Sequence, residues 1–233
     1  MRCSKLFSLL MSIALVFCLS VGVSVAKEKE NPLATPENYA EYLANYDKVE
    51  ALRLGVDPAY ATQAVQDAKD ALEDFQAMST ENQKKLLEYM QSPKILEQSF
   101  TSVKVEKVQK QELISDYALQ PQASTKRVSH EYKMTLLGVD WTVYVVDGKY
   151  EYDKKGATKE LGASGYVKKN LNPLVQTSKT SEYDEVIGGT YYGTAVFDYK
   201  IGPLDGLSYQ IGSAYCRVTG DEGGKTGGRG WTE

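Results

Sequence analysis

The sequence predicts an α+β fold: a short N-terminal helical bundle followed by an antiparallel β-sandwich or open barrel of about seven to eight strands. Three observations carry this. Between Thr35 and Gln98 apolar residues recur every three or four positions, the period of a helix with one buried face. After Phe100 the period changes to two, the signature of half-buried strands. Turn-forming residues divide this second part, and no long helical stretch interrupts it as a parallel sheet would require. The expected organisation is a signal peptide over 1–26, a helical region over 27–98, a β domain over 99–219 and a flexible glycine-rich tail over 220–233.

The helices are read from their caps. Thr35-Pro36 supplies an N-cap and a proline at the first helical position, where the missing N–H costs nothing. Tyr39, Leu43, Tyr46, Val49 and Leu52 then form one stripe, which Gly55 can close. Asp57-Pro58 repeats the opening device before an alanine-rich stripe of Ala61, Ala64, Val65, Ala68, Leu72 and Phe75. Thr80 and Gln83 have the spacing of a capping box ahead of Leu86, Leu87 and Met90. Ser92-Pro93 stops that helix and can start another turn through Ile95 and Leu96. With so few large aliphatic residues, the bundle needs to dock against the β domain or a partner. Tyr39, Tyr42 and Tyr46 would pad its thin core with their hydroxyls at the edge.

The strands follow by alternation. Val103 and Val105 open the series, and a polar break covers Pro121 to Thr125. Tyr132, Met134 and Leu136 then share a face. In WTVYVVDGKYEYD the pair Asp147-Gly148 suits a two-residue type I′ turn, which would pair Val145 with Tyr150 and Val143 with Tyr152 on the face of Trp141. Further strands are expected near residues 164 and 174. Ala195, Phe197, Tyr199 and Ile201 line one face of a late strand. A turn over Gly202-Pro203-Leu204-Asp205-Gly206 leads to a return strand from about Leu207 to Val218.

The N-terminus bears on destination. Arg2 and Lys5 precede an apolar run from Leu6 to Val25, and Ser24-Val25-Ala26 places small residues where a signal peptidase inspects them. Cleavage there makes the protein secreted or envelope-associated, without membrane insertion. The alternatives are an uncleaved N-terminal membrane anchor, since about 20 apolar residues span a bilayer, and a lipid on Cys18. Losing Arg2 and Lys5 would move the formal charge from −4 to −6. An acidic chain with no basic cluster lacks the electrostatic footprint of a nucleic-acid binder. Cys216 would be the one remaining thiol, expected as a small buried residue in a strand.

Catalytic chemistry finds little support. His130 is the one histidine, and its neighbour Ser129 would point to the other face of a strand, so adjacency makes no pair. An edge-strand or surface position is its expected place, although Cys216 can in principle meet it in the fold. No G-x-S-x-G elbow is present. No catalytic residue, metal ligand or cofactor is assigned. Zinc would lack Cys and His ligands. Asp147, Glu151 and Asp153, or Asp221 and Glu222, form acidic clusters without the spacing of a calcium loop. A carboxylate-pair glycosidase is the enzyme class least weakened, because it needs neither histidine nor metal.

Tyrosine is over-represented, at 17 against five Phe and two Trp. A ring apolar on its face and polar at its tip suits sugar- and protein-contacting surfaces. The expected function is therefore a non-catalytic exported binding module meeting a cell-envelope polymer or extracellular protein. Its candidate binding residues are Trp141, Tyr144, Tyr150, Tyr152, Tyr191 and Tyr192. In Tyr191-Tyr192 one ring must face each side of the sheet. A secreted hydrolase, and less so an antimicrobial or toxin-like effector, are the alternatives; net acidity opposes anionic lipid.

Thr219 to Thr226 comes within one residue of a phosphate-binding loop, G-x-x-x-x-G-K-[ST]. Only GGRGWTE follows, too short for the required helix, and Asp221 and Glu222 would stand where phosphates lie, so no nucleotide is expected. The stretch reads as a frayed exit from the last strand, whose removal should leave the fold intact, with Trp231 able to fold back onto the sheet.

Overall fold

A computed structural model describes residues 31–101, 124–202 and 210–233, and Asn31–Glu233 forms one compact unit. The expected signal peptide, the Val103–Val105 strand and most of the 202–206 turn lie outside the described residues. Among the described residues five helices precede seven strands: α1 (Pro36–Ala44), α2 (Lys48–Arg53), α3 (Ala61–Ala77), α4 (Thr80–Gln91), α5 (Pro93–Thr101), β1 (Ser124–Leu136), β2 (Val139–Asp153), β3 (Gly156–Asn170), β4 (Val175–Ile187), β5 (Thr190–Ile201), β6 (Gln210–Asp221) and β7 (Gly224–Thr232). The fold is mixed α+β, with one antiparallel sheet in the order β1-β2-β3 and another in the order β4-β5-β6-β7. Neither sheet closes into a barrel.

Local chemistry sets the helix ends, in places differently from expectation. Thr35 caps α1 by accepting the Asn38 N–H, and Pro36 occupies the first turn. The stripe through Leu52 is broken, because Asp47 caps a separate α2 by accepting the Glu50 N–H at 2.8 Å. Ser79, not Thr80, caps α4, and the Gln83 amide donates to the Phe75 carbonyl at the end of α3. Asp57-Pro58 opens a turn ahead of α3, which starts at Ala61.

The helices dock on the sheets through a polar node between β3 and β4, although Val49 and Leu52 of the expected stripe are exposed. Asn170 and Asn172 are fully buried. The Asn170 amide donates to the carbonyls of Leu54 (3.1 Å) and Val175 (2.8 Å), and its oxygen accepts from the Thr142 hydroxyl (3.1 Å) and the Asn172 N–H (3.3 Å). The amide of Asn172 donates to Met90 at the end of α4, and the Tyr46 and Tyr39 hydroxyls donate to the carbonyls of Asn170 and Leu171. Every hydrogen-bonding position of the Asn170 side chain is used, as burial demands.

The β-half corrects one hairpin. Asp147-Gly148 lies in the middle of β2, paired with Ser129 and Val128 on one side and Ser164 and Ala163 on the other. The tight turns are at Leu137-Gly138, both with positive φ (49° and 88°), at Lys154-Lys155, at Gly188-Gly189 and at Glu222-Gly223. Val145 and Tyr150 are therefore not partners. Tyr144, Val146 and Tyr150 belong to the main core, and Val143 and Val145 are buried on the opposite face beside Glu131 and Lys133. Gly148 fits mid-strand because the Tyr191 ring fills the space a side chain would take.

Between the sheets, rings lie on glycines and on one another. Tyr144 stacks on Phe197 (centroids 4.6 Å apart) and Tyr150 on Tyr191 (4.7 Å). Tyr150 covers Gly220 and donates to the Asp221 carbonyl at 2.7 Å. The His130 ring covers Gly228, and the Tyr132 ring covers Gly230. Residues 220–233 are thus not a flexible tail. They complete β6 and form β7, whose inward Gly228 and Gly230 leave the space that rings from β1 occupy. Other expectations hold: Tyr132, Met134 and Leu136 are buried together, as are Ala195, Phe197, Tyr199 and Ile201.

Asn170→Leu keeps the branched shape but removes the acceptor of the buried Thr142 hydroxyl and of the Asn172 N–H, and a donor to the Val175 carbonyl; urea unfolding should show a loss of roughly 3–5 kcal/mol. Gly230→Ala drives a methyl into the Tyr132 ring and should cost about 1–3 kcal/mol. Deleting residues 224–233 should lower the melting midpoint by more than that point change, because a whole strand and the cover of His130 and Tyr132 go with it. An unchanged midpoint would show that β7 contributes nothing.

Candidate functional site

The residues with catalytic potential are sealed. His130 is 3% exposed on β1, with Nδ1 3.4 Å from the Lys225 amine, and Ser129 on the same strand points outward to solvent. His130 is thus an interior residue of an edge strand, not a surface one. Cys216 is fully buried, and its Sγ lies 3.6 Å from the His130 carbonyl oxygen. Burial pushes the Cys216 thiol far up from its ordinary pKa, the opposite of what a nucleophile needs. Among the described residues no group of three or more His, Cys, Asp or Glu side chains gathers to hold a metal ion.

One groove, of about 700 Å³, runs between the start of α1 and the face of α4, with Thr35, Glu37, Thr80, Lys84, Glu88 and Gln91 in its lining. Both carboxylates in it are exposed. The backbone N–H and the Thr35 hydroxyl hold the Glu37 carboxyl below its ordinary pKa, whereas a general acid requires a raised one.

The six tyrosine and tryptophan candidates separate. Trp141, Tyr144, Tyr150 and Tyr191 are each 0% exposed and build the core, so they offer no binding surface. Tyr152 is half-buried beside the Lys126 amine, 4.8 Å from its ring centroid. Tyr192 alone joins a wider array. As expected for neighbours on a strand, Tyr191 points inward and Tyr192 outward.

That array is the outer face of the four-stranded sheet. Register partners share a face, and the registers define three rows across β4, β5, β6 and β7: Ser181, Val196, Tyr215 and Trp231; Tyr183, Thr194, Arg217 and Arg229; Glu185, Tyr192, Thr219 and Gly227. Tyr215 and Trp231 stack at 4.9 Å with their planes 9° apart. The Arg229 guanidinium lies 4.5 Å from the Trp231 ring centroid, and that of Arg217 lies 5.3 Å from Trp231 and 5.9 Å from Tyr192. Arg217 Nε donates to the Thr194 hydroxyl at 2.8 Å, and the Trp231 indole donates to Glu233 at 3.2 Å. The Tyr215 phenol is shifted upward by loss of water and by its hydrogen bond to Glu233. Tyr183 is 44% exposed and Arg229 is also exposed.

Among the described residues, the salt bridges lie elsewhere, so neither Arg217 nor Arg229 is neutralised by a paired carboxylate. Aromatic faces hold both guanidinium groups in place by cation–π attraction, leaving much of their hydrogen-bonding capacity unused. Such a face can bind planar or anionic groups without an enclosed pocket.

Sequence reading missed Tyr183, Tyr215, Trp231, Arg217 and Arg229 as site residues. The signal was present in Gly228-Arg229-Gly230-Trp231, where glycines alternate with large residues. Read with period two, the glycines become inward positions and Arg229 and Trp231 share the outer face. Compared with known proteins, the chain matches no family model, no curated protein and no solved structure.

The two tryptophans make this placement measurable. Trp141 is sealed and Trp231 is partly exposed. Acrylamide should quench part of the wild-type fluorescence, and Trp231→Phe should remove most of the quenchable part and leave blue-shifted emission. Unchanged quenching in Trp231→Phe would place the accessible tryptophan elsewhere.

Proposed function

We propose that the protein is an exported, non-catalytic binding module that works at the cell envelope or outside the cell. Its recognition surface is the outer face of the four-stranded sheet. In this reading the two sheets form the layers of a sandwich, whose interior rings fix the face that Tyr183, Tyr192, Tyr215, Trp231, Arg217 and Arg229 present. The observation that carries it is the gathering of these six residues on one flat face, with two arginines held by aromatic rings and free of ion pairs among the described residues.

Export rests on the N-terminal basic, apolar and small-residue pattern. Among the described residues no helix is long and apolar enough to cross a membrane. The partner class is a cell-envelope polymer or an extracellular protein. The buried thiol and interior histidine favour binding over nucleophilic catalysis, and the lowered Glu37 speaks against a hydrolase in the helical groove.

Co-sedimentation with insoluble cell-wall material, alongside capture of extracellular proteins, tests the proposal. Tyr215→Ala/Trp231→Ala should abolish retention, and Tyr152→Ala, on a different part of the fold, should not. Equal retention of both variants would remove the sheet face from binding, and no retention of wild-type protein on any partner would end the reading.

A further inference from the structure

The chemistry of the same face narrows its partner. We infer that the outer face of the four-stranded sheet binds a carboxylate-bearing polysaccharide, a uronate-type chain laid across β5, β6 and β7, with Arg217 and Arg229 receiving its carboxylates. This rests on the proposed function above and adds the ligand class to it.

Charge gives the first reason. The chain is acidic overall, at −4, yet two arginines stand side by side on this face as direct register partners on β6 and β7. Two nearby acids are hydrogen-bonded to neutral donors and not to the arginines: Asp198 accepts from the Ser213 hydroxyl at 2.9 Å and Glu233 from the Trp231 indole. Glu185, opposite Tyr192 in the row next to that of Arg217, lies on β4, two strands from Arg217, and forms none of the salt bridges of the described residues. The Nε of Arg217 is used by Thr194. Its two terminal nitrogens are the pair that grips a carboxylate through two parallel hydrogen bonds.

Shape gives the second. Neighbouring strands lie about 4.8 Å apart, so Arg217 and Arg229 repeat at about that interval across the sheet. Two anchors at one strand spacing on an open surface suit a repeating anion rather than one small molecule, which would favour a concave site.

Lining gives the third, and it separates a glycan from an acidic protein. The three rows hold aromatic rings, arginines, the hydroxyls of Ser181 and Thr219 and, at the β4 edge, the Glu185 carboxylate; Thr194 and the sole aliphatic side chain, Val196, are buried. Protein interfaces concentrate their energy in desolvated anchors that fill pockets. A hydroxyl- and ring-rich plane instead matches sugar, with hydroxyl groups along its edge and apolar C–H faces.

The test is isothermal calorimetry of the full chain with polygalacturonate, with the same polymer fully methyl-esterified, with poly-glutamate and with polyphosphate. Polygalacturonate should bind at least about tenfold more tightly than each of the others, a preference that two charge-assisted contacts can supply. Arg217→Gln and Arg229→Gln should each weaken it several-fold. The conservative Arg217→Lys should recover only part of the loss, because it keeps the charge and loses the fork. Thermal melts of each variant establish that folding is unchanged; should a glutamine variant melt early, the lysine variants carry the comparison.

Equal binding of the esterified and free polymers would overturn the carboxylate assignment and leave a neutral-glycan platform. Poly-glutamate or polyphosphate binding as tightly as the uronan would overturn the sugar or the carboxylate part, respectively. No binding to any of the four polymers, with cell-wall retention still lost in Tyr215→Ala/Trp231→Ala, would overturn this inference and spare the proposed function. Uronan binding unaffected by Tyr215→Ala/Trp231→Ala or by the arginine variants would overturn both.

Discussion

The side chain of Asn170 sits where helices and both sheets meet, and the arrangement of the molecule depends on it. One amide joins the end of α2, the start of β4, the beginning of β2 and the backbone of its own turn, and Tyr46 seals the adjacent carbonyl. Helices with alanine-rich stripes have little apolar area to hold themselves together. Docking is therefore decided by oriented hydrogen bonds in a dry environment, where an unmatched group is expensive. Asn172 extends the same node to the end of α4. A greasy seam would allow the helical layer to slide, and this node allows one position.

A second constraint acts between the sheets and determines the exposed face. The interior is built from rings meeting glycines, so β6 and β7 come close to β1 and β2 where large aliphatics would hold them apart. Because strand residues alternate, every glycine turned inward turns its neighbour outward. Glycines at 228 and 230 thereby put Arg229 and Trp231 on the outer face, and inward Tyr191 and Cys216 do the same for Tyr192, Tyr215 and Arg217. The candidate site and the core are two readings of one alternation.

This explains what the sequence disclosed. The helical period before Gln98 and the period of two through Tyr132, Met134 and Leu136 were plain, and the inward set from Ala195 to Ile201 announced its strand. Reading failed where glycine served as a docking surface. Asp147-Gly148 has the composition of a turn, and Gly220 to Gly230 that of a frayed end, because local propensity treats glycine as freedom. The rings that occupy those positions come from strands up to 98 residues away, between Tyr132 and Gly230, and no local window contains both. The helix break at Tyr46 was hidden for a related reason: Asp47 lay inside an otherwise continuous stripe. Of the six ring residues named from composition, Tyr192 alone reached the candidate face, since composition counts rings without saying which way each one points.

The ring-on-glycine contacts also affect how this fold can change over time. A bulky residue cannot appear at 228 or 230 while His130 and Tyr132 keep their rings, and a smaller residue at 130 or 132 opens a void over the glycine. Such positions drift in tandem, across sheets and far apart along the chain, with total volume as the conserved quantity. A lineage could exchange glycine and tyrosine between β1 and β7 pair by pair and keep every strand in place. Its sequences would then lose resemblance at the very positions that hold the sheets together, while the outward residues stayed free to follow the ligand.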